Sequence, residues 1–351
     1  MLLAVQPVGE AFLLGFRGLT PPDWLGEFEA RFGLGGVLLF DYDVQTQRQG
    51  RNITSPDQLR SLCAELAAFA SRPLVCVDQE GGRVRRLKPA VGFSELPSAA
   101  VFAQLEPTEQ YTLAAAAYRE MVALGIQLNL APVVDLNLNP RNPNIGAIER
   151  SFSADPEILR VAARSLFAAA RESGLLLCLK HYPGLGAART DSHLERTELR
   201  EVPPDEQLEL FETLADEVPG RAVLLSHALL ADWDPAWPVS LSRHATSRLR
   251  ARQPDALLIS DDLQMQGLRV FADSAGACER AIENGVDLLC IGNNLQGGEE
   301  ECFEAAVRLS KRAARDPDFK DSLDAAVARV QLRKATRARA VSPDAARRRV
   351  P

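Results

Sequence analysis

Eight short, nearly unbroken apolar runs recur along the chain, separated by longer stretches whose apolar residues follow a helical period. This alternation constrains the fold more than any other feature. The runs are "AFLLGF" (11–16), "GGVLLF" (35–40), "PLVCVD" (73–78), "IQLNLAP" (126–132), "GLLLCLKHY" (174–182), "AVLLSH" (222–227), "DALLISDD" (255–262) and "DLLCIGN" (287–293). Strands apolar on every residue are buried on both faces, as parallel strands are. The intervening segments carry helix starts and stops: "SPDQLRSLCAELAAFA" and "DPEILRVAARSLFAAARESG" each open on a capping residue followed by proline, and the second closes on glycine. Eight strands alternating with eight helices predict a single-domain α/β fold, a (β/α)8 TIM barrel. A doubly wound open sheet would require one of the strands to be dismissed.

After the eighth helix, "SLDAAVARVQLRKATRARA" predicts an extra C-terminal helix. The domain is expected to span 1–338, with 339–351 a basic, flexible tail. No short-period repeat and no linker divides the chain, so no second domain is expected. Its 351 residues suit one barrel, and 46% hydrophobic with 25% charged residues is ordinary for a globular protein. The net charge of −7 argues against a nucleic-acid binder. No apolar run approaches the ~20 residues of a membrane helix. Six cysteines lie scattered, without a CxxC pair and several within apolar runs, so a secreted disulfide framework is not expected. The start "MLLAVQPVGEAFLLGF" lacks a basic leader and cleavage site. A mature, cytoplasmic monomer is the expectation.

In such a barrel the site lies on the loops after the strands. Strand three runs into Asp78 and "QEGGRVRR", with Arg86. The loop after strand four holds Arg150. Strand five ends in Lys180 and His181 and opens "KHYPGLGAARTDSH", which carries Asp191 and His193. Strand six ends near His227, and strand seven at Asp261 and Asp262. Singly, each has an ordinary explanation, such as a helix cap, a satisfied histidine or a solvated turn. Together on one rim they point to an active site. Asp261 suits nucleophilic attack or charge stabilisation. Asp191, two residues before His193, can orient the imidazole, which can then act as acid and base. A nucleophilic carboxylate with a separate acid/base is the plan of retaining glycoside hydrolysis. Asp78, Arg86, Arg150, Lys180 and His181 are donors and acceptors fit for sugar hydroxyls. Asp262 reads better as a cap of the following helix, His227 lines the pocket or supports a neighbour, and Asp135 either orients Arg150 or is structural. No cofactor or metal is called for.

"KHYPGLGAARTDSH" resembles the signature of bacterial β-N-acetylglucosaminidases in glycoside hydrolase family 3. "VDQEGGRVRRL", "APVVDLN", "NIGAIERSFSADP" and "LLISDDLQM" resemble further stretches of that family in the same order, over roughly residues 10–315. The resemblance implies that Asp261 is the nucleophile, that His193 with Asp191 is the acid/base dyad, and that Asp78, Arg86, Arg150, Lys180 and His181 bind N-acetylglucosamine. It also implies a small saccharide or muropeptide as substrate. A histidine acid/base on a loop agrees with a chain that has no room for the second domain many relatives need. Leu185 stands where histidine is frequent, Tyr182 replaces a common phenylalanine, and "DYDVQTQRQGRNI" after strand two is longer than usual, which bears on the aglycone side. Gly184 and Gly186 suggest a loop that brings His193 over the scissile oxygen after the sugar docks. Three alternatives stand beside this reading. They are a phosphorylase using the same residues, a metal-dependent hydrolase with His181, His193, His227 and Asp261 as ligands, and a non-catalytic sugar-binding barrel.

Overall fold

A computed structural model describes residues 7–190, 197–199, 203–295 and 297–341, with side chains through 336. All eight expected strands form. They are β1 (Phe12–Gly15), β2 (Gly36–Leu38), β3 (Leu74–Val77), β4 (Leu128–Asn129), β5 (Leu176–Tyr182), β6 (Ala222–Leu225), β7 (Leu257–Ser260) and β8 (Leu289–Ile291). Each pairs in parallel with its neighbour, in the order β7-β6-β5-β4-β3-β2-β1-β8. The ring closes between β7 and β8 through a parallel bridge at Ile259 and Leu288, where Ser260 N donates to Leu288 O at 3.0 Å. The architecture is a (β/α)8 barrel.

The eight helices are α1 (Asp23–Phe32), α2 (Pro56–Ala67), α3 (Pro107–Leu124), α4 (Pro156–Ser173), α5 (Asp205–Glu217), α6 (Arg243–Arg252), α7 (Ser274–Glu283) and α8 (Glu299–Ala313). Their start signals work as the sequence suggests. Ser55 accepts from Gln58 N with Pro56 in the first turn, and Asp155 accepts from Glu157 N with Pro156 there. The long stretch after β2 folds into a small antiparallel hairpin pairing Tyr42–Asp43 with Arg48–Gln49.

The apolar strands serve two cores at once. On β3, Leu74 and Cys76 point into the barrel, while Val75 and Val77 pack against the helices; on β5, Leu176 and Cys178 point in and Leu177 and Leu179 out. All six cysteines are free and buried. Burial pushes the Cys63 and Cys302 thiols up to about 12, so cysteine acts here as a small hydrophobe.

The expected extra helix, α9 (Pro317–Val341), runs past the boundary expected at 338. It seals the barrel at the amino ends of the strands. Val330, fully buried, joins the inner core, and Lys334 Nζ donates to Leu34 O at 2.7 Å and Ser71 O at 3.0 Å while pairing with Glu10. Among the described residues no helix is long and apolar enough to cross a membrane.

Because Val330 fills the barrel interior, Val330→Ala is expected to cost about 1–3 kcal/mol in urea unfolding. Leu332→Ala, on the half-exposed face of the same helix, should stay within about 0.5 kcal/mol. Equal losses would contradict the sealing role of α9.

Candidate active site

The carboxyl ends of the strands surround a cavity of about 350 Å³, within the range of small-molecule sites. Asp78, Glu80, Arg86, Asn144, Arg150, Lys180, His181, Asp261 and Asp262 reach it from the β3, β4, β5 and β7 ends. A larger recess of about 730 Å³ lies at the other end, lined by Arg60, Arg72, Lys334 and mostly apolar groups; it gathers none of these strand-end groups.

The β3 loop is shaped by buried Gln79, whose Oε1 accepts from Arg86 N and Leu87 N, both at 2.9 Å. Asn129 at the end of β4 holds Gln79 in turn, accepting from its N–H and donating to its carbonyl at 2.9 Å each. Gly81 takes φ +98°, and a Cβ there would lie 2.1 Å from Pro97 O, so the "GG" of this loop answers to a tight approach. The result folds Arg86 back beside Asp78, at 3.3 Å.

Lys180 Nζ, at the end of β5, bridges Asp78 Oδ1 at 2.7 Å and Glu80 Oε1 at 2.6 Å. Arg150 grips Glu80 through Nε at 2.7 Å and Nη2 at 2.8 Å, a two-point pairing. Its Nη1 donates to Asn144 O at 2.8 Å. Burial would raise the Asp78 carboxyl, but the Lys180 and Arg86 cations outweigh it and hold it below its usual value. Glu80 is held low by Arg150 and Lys180 against the same burial. Desolvation opposes the Lys180 charge, yet Asp78 and Glu80 raise its pKa. These groups are charged together.

His181 Nδ1 lies 2.8 Å from Asp135 Oδ2, and its Nε2 lies 3.1 Å from Arg150 Nη2. A guanidinium only donates, so Nε2 accepts and the imidazole proton sits on Nδ1, facing Asp135. Asp135 also accepts from His181 N and Leu185 N, both at 3.1 Å. It therefore orients His181, and acts on Arg150 through that ring, which revises the choice left open above.

Asp261 begins the turn after β7. Its backbone N–H donates to Leu225 O at 3.1 Å, and its Oδ1 accepts from Asp262 N at 2.9 Å. Asp262 does not cap the following helix as expected. Asp273 caps α7, while Asp262 Oδ1 accepts from Gln264 N and Gly292 N and stiffens the turn. His227 supports that turn: its Nε2 meets Asp262 O at 2.9 Å and its Nδ1 meets Ser240 Oγ at 2.7 Å. Both ring nitrogens of His181 and of His227 are thus engaged by protein groups. Among the described residues no set of three or more His, Cys, Asp or Glu side chains could hold a metal ion.

Of the residues singled out from the sequence, Asp78, Arg86, Arg150, Lys180, His181 and Asp261 share the cavity. Asp191 and His193 lie outside the described residues. The first part of their loop is described, and its glycines serve close packing: a Cβ on Gly186 would lie 1.7 Å from Leu136 O. The sequence reading missed Glu80, two residues beyond Asp78; its signal was a second carboxylate at the spacing that returns to one face of an extended chain.

The family model of the glycosyl hydrolase family 3 N-terminal domain matches residues 27–331. A curated β-hexosaminidase of Methylococcus capsulatus is 32% identical over 278 residues, 76% of this chain and 78% of that one. Among solved structures, a family 3 β-N-acetylglucosaminidase from Paenibacillus sp. superposes with a TM-score of 0.84 at 28% identity, covering 96% of this chain and 63% of its own. A β-N-acetylhexosaminidase from Beutenbergia cavernae superposes with a TM-score of 0.82 at 28% identity, covering 95% and 99%.

Because Asp78 and Glu80 titrate lower in the fold than unfolded, their contribution to stability is complete above about pH 5 and is lost as the pH falls toward their folded values. Glu80→Gln is expected to cost about 3–5 kcal/mol at pH 7, since it strips a buried partner from Lys180 and Arg150. It should also flatten the fall in stability below about pH 4, measured by urea unfolding across pH.

Proposed function

This chain belongs to glycosyl hydrolase family 3 and is a glycoside hydrolase, and on that premise we propose that it is a retaining β-N-acetylglucosaminidase. It removes terminal β-linked N-acetylglucosamine, with muropeptides or related saccharides as substrates, as a cytoplasmic monomer. The observation that carries this reading is the meeting of Asp261 with the Asp78, Arg86, Arg150, Lys180 and His181 cluster around one cavity.

The cluster suits a ring of hydroxyls. Asp78 accepts, Lys180 and the guanidiniums donate, and the ion pairs among them keep each group placed before the sugar arrives. Asp261 attacks the anomeric carbon, forming a C–O bond as the bond to the leaving oxygen breaks. His193, oriented by Asp191, gives its proton to that oxygen. Water then attacks the glycosyl ester, its proton passes to His193, and Asp261 leaves with its original charge. Two inversions return the β configuration.

Four measurements test this. Proton NMR of early product should show the β anomer of N-acetylglucosamine; an α anomer overturns the retaining scheme. Free sugar should form in phosphate buffer, and sugar-1-phosphate as main product would replace hydrolysis by phosphorolysis. Asp261→Gly is expected to lose at least about 10³-fold in kcat, with azide restoring turnover as the α-glycosyl azide. His193→Ala should slow substrates with poor leaving groups far more than those with activated aryl groups, because only the former need a proton.

A further inference from the structure

Beyond the sugar-binding cluster, the cavity has a second wall with different chemistry. Most of the polar groups come from β3, β4 and β5, with Asp261 and Asp262 from β7 and Asn294 from the β8 loop. On the adjoining arc, beside β3, Phe40, Tyr42 and Val44 line the same space, alternating along the segment that leaves β2, together with Leu295 from the β8 loop. Exposure rises along this row. Leu38 is buried, Phe40 and Tyr42 are half-buried, and Val44 at the rim is 38% exposed. The Arg86 guanidinium lies 5.4 Å over the Phe40 ring, which sets Phe40 at the depth of the Asp78 cluster. Tyr42 and Val44 follow Phe40 outward, toward the rim of the cavity.

The hairpin that carries them is anchored from behind. Buried Asn294 donates to Tyr42 O at 3.0 Å and accepts from Val44 N at 2.9 Å. Asp43, on the opposite face, is tied to Arg51 at 2.5 Å and Arg17 at 2.6 Å, and Arg51 also donates to Asn293 O. Tyr42 Oη donates its proton to Gln47 Oε1 at 2.8 Å, so the hydroxyl has no proton left to give a ligand and the ring's apolar face is its main offering. A fixed, mostly apolar wall at the mouth of a polar pocket is suited to a flat ring with an apolar face.

We propose that the hairpin after β2 forms a subsite for the leaving group, with Tyr42 and Val44 as its contacts, selecting substrates whose aglycone is a second pyranose or an aryl ring. The inference rests on the glycosidase reading above. It is tested by kcat/KM of wild type, Tyr42→Ala and Tyr42→Phe on three glycosides of N-acetylglucosamine: methyl, 4-nitrophenyl and the β-linked disaccharide. Tyr42→Ala should lose about 10-fold more on a ring-bearing substrate than on the methyl glycoside. Tyr42→Phe should keep the wild-type ratio. A loss confined to the aryl or to the disaccharide arm identifies which ring the wall takes. Equal losses on all three substrates, or none, overturn the subsite while leaving the glycosidase reading intact. A wild type inactive on every glycoside overturns both.

Discussion

The buried ion network Asp78–Lys180–Glu80–Arg150 is the interaction on which the site depends. It ties the ends of three successive strands through contacts of 2.6–2.8 Å. No member could remain charged there alone, because isolated burial of an ion costs far more than a single domain can offset. Once paired, the groups resist movement, since shifting one leaves another without its counter-charge. His181 and Asp135 extend the same logic, with a donor-only guanidinium on one side of the ring and a carboxylate on the other dictating where its proton sits.

That network is affordable because the barrel beneath it is apolar and closed. Strand residues alternate between an inner core and the layer under the helices, and α9 covers the opposite mouth with Val330. The carboxyl ends of the strands are thereby left as the place where polar side chains converge on one another. Three inward cysteines, Cys76, Cys178 and Cys290, belong to this floor. Their thiols are pushed up by burial, which suits packing and opposes reactivity.

The architecture was readable because its signals are local. Continuous apolar runs bounded by helix caps such as Ser55 and Asp155 recur eight times, and every run became a strand. The site was readable in part. Asp78, Lys180, His181 and Asp261 stand at strand ends, so the barrel itself implied that they meet. Glu80, Gln79 and the work of Asp135 were not readable in this way. Glu80 matters through Arg150, which is 70 positions away, and Asp135 through His181, which is 46 away. Asp262 shows the converse: its local pattern suited a helix cap, and a contact with Gly292 from the neighbouring strand claimed it instead.

By itself, then, the order of residues determined the number of strands, their parallel sense and the rim on which chemistry would gather, because hydrophobic period and capping act over a few neighbours. Only the folded barrel decided which carboxylate pairs with which cation, which nitrogen of His181 carries the proton, and which wall of the cavity stays apolar. Those outcomes follow from distances between chain segments far apart in sequence, and a charge has no partner until the sheet has closed around it.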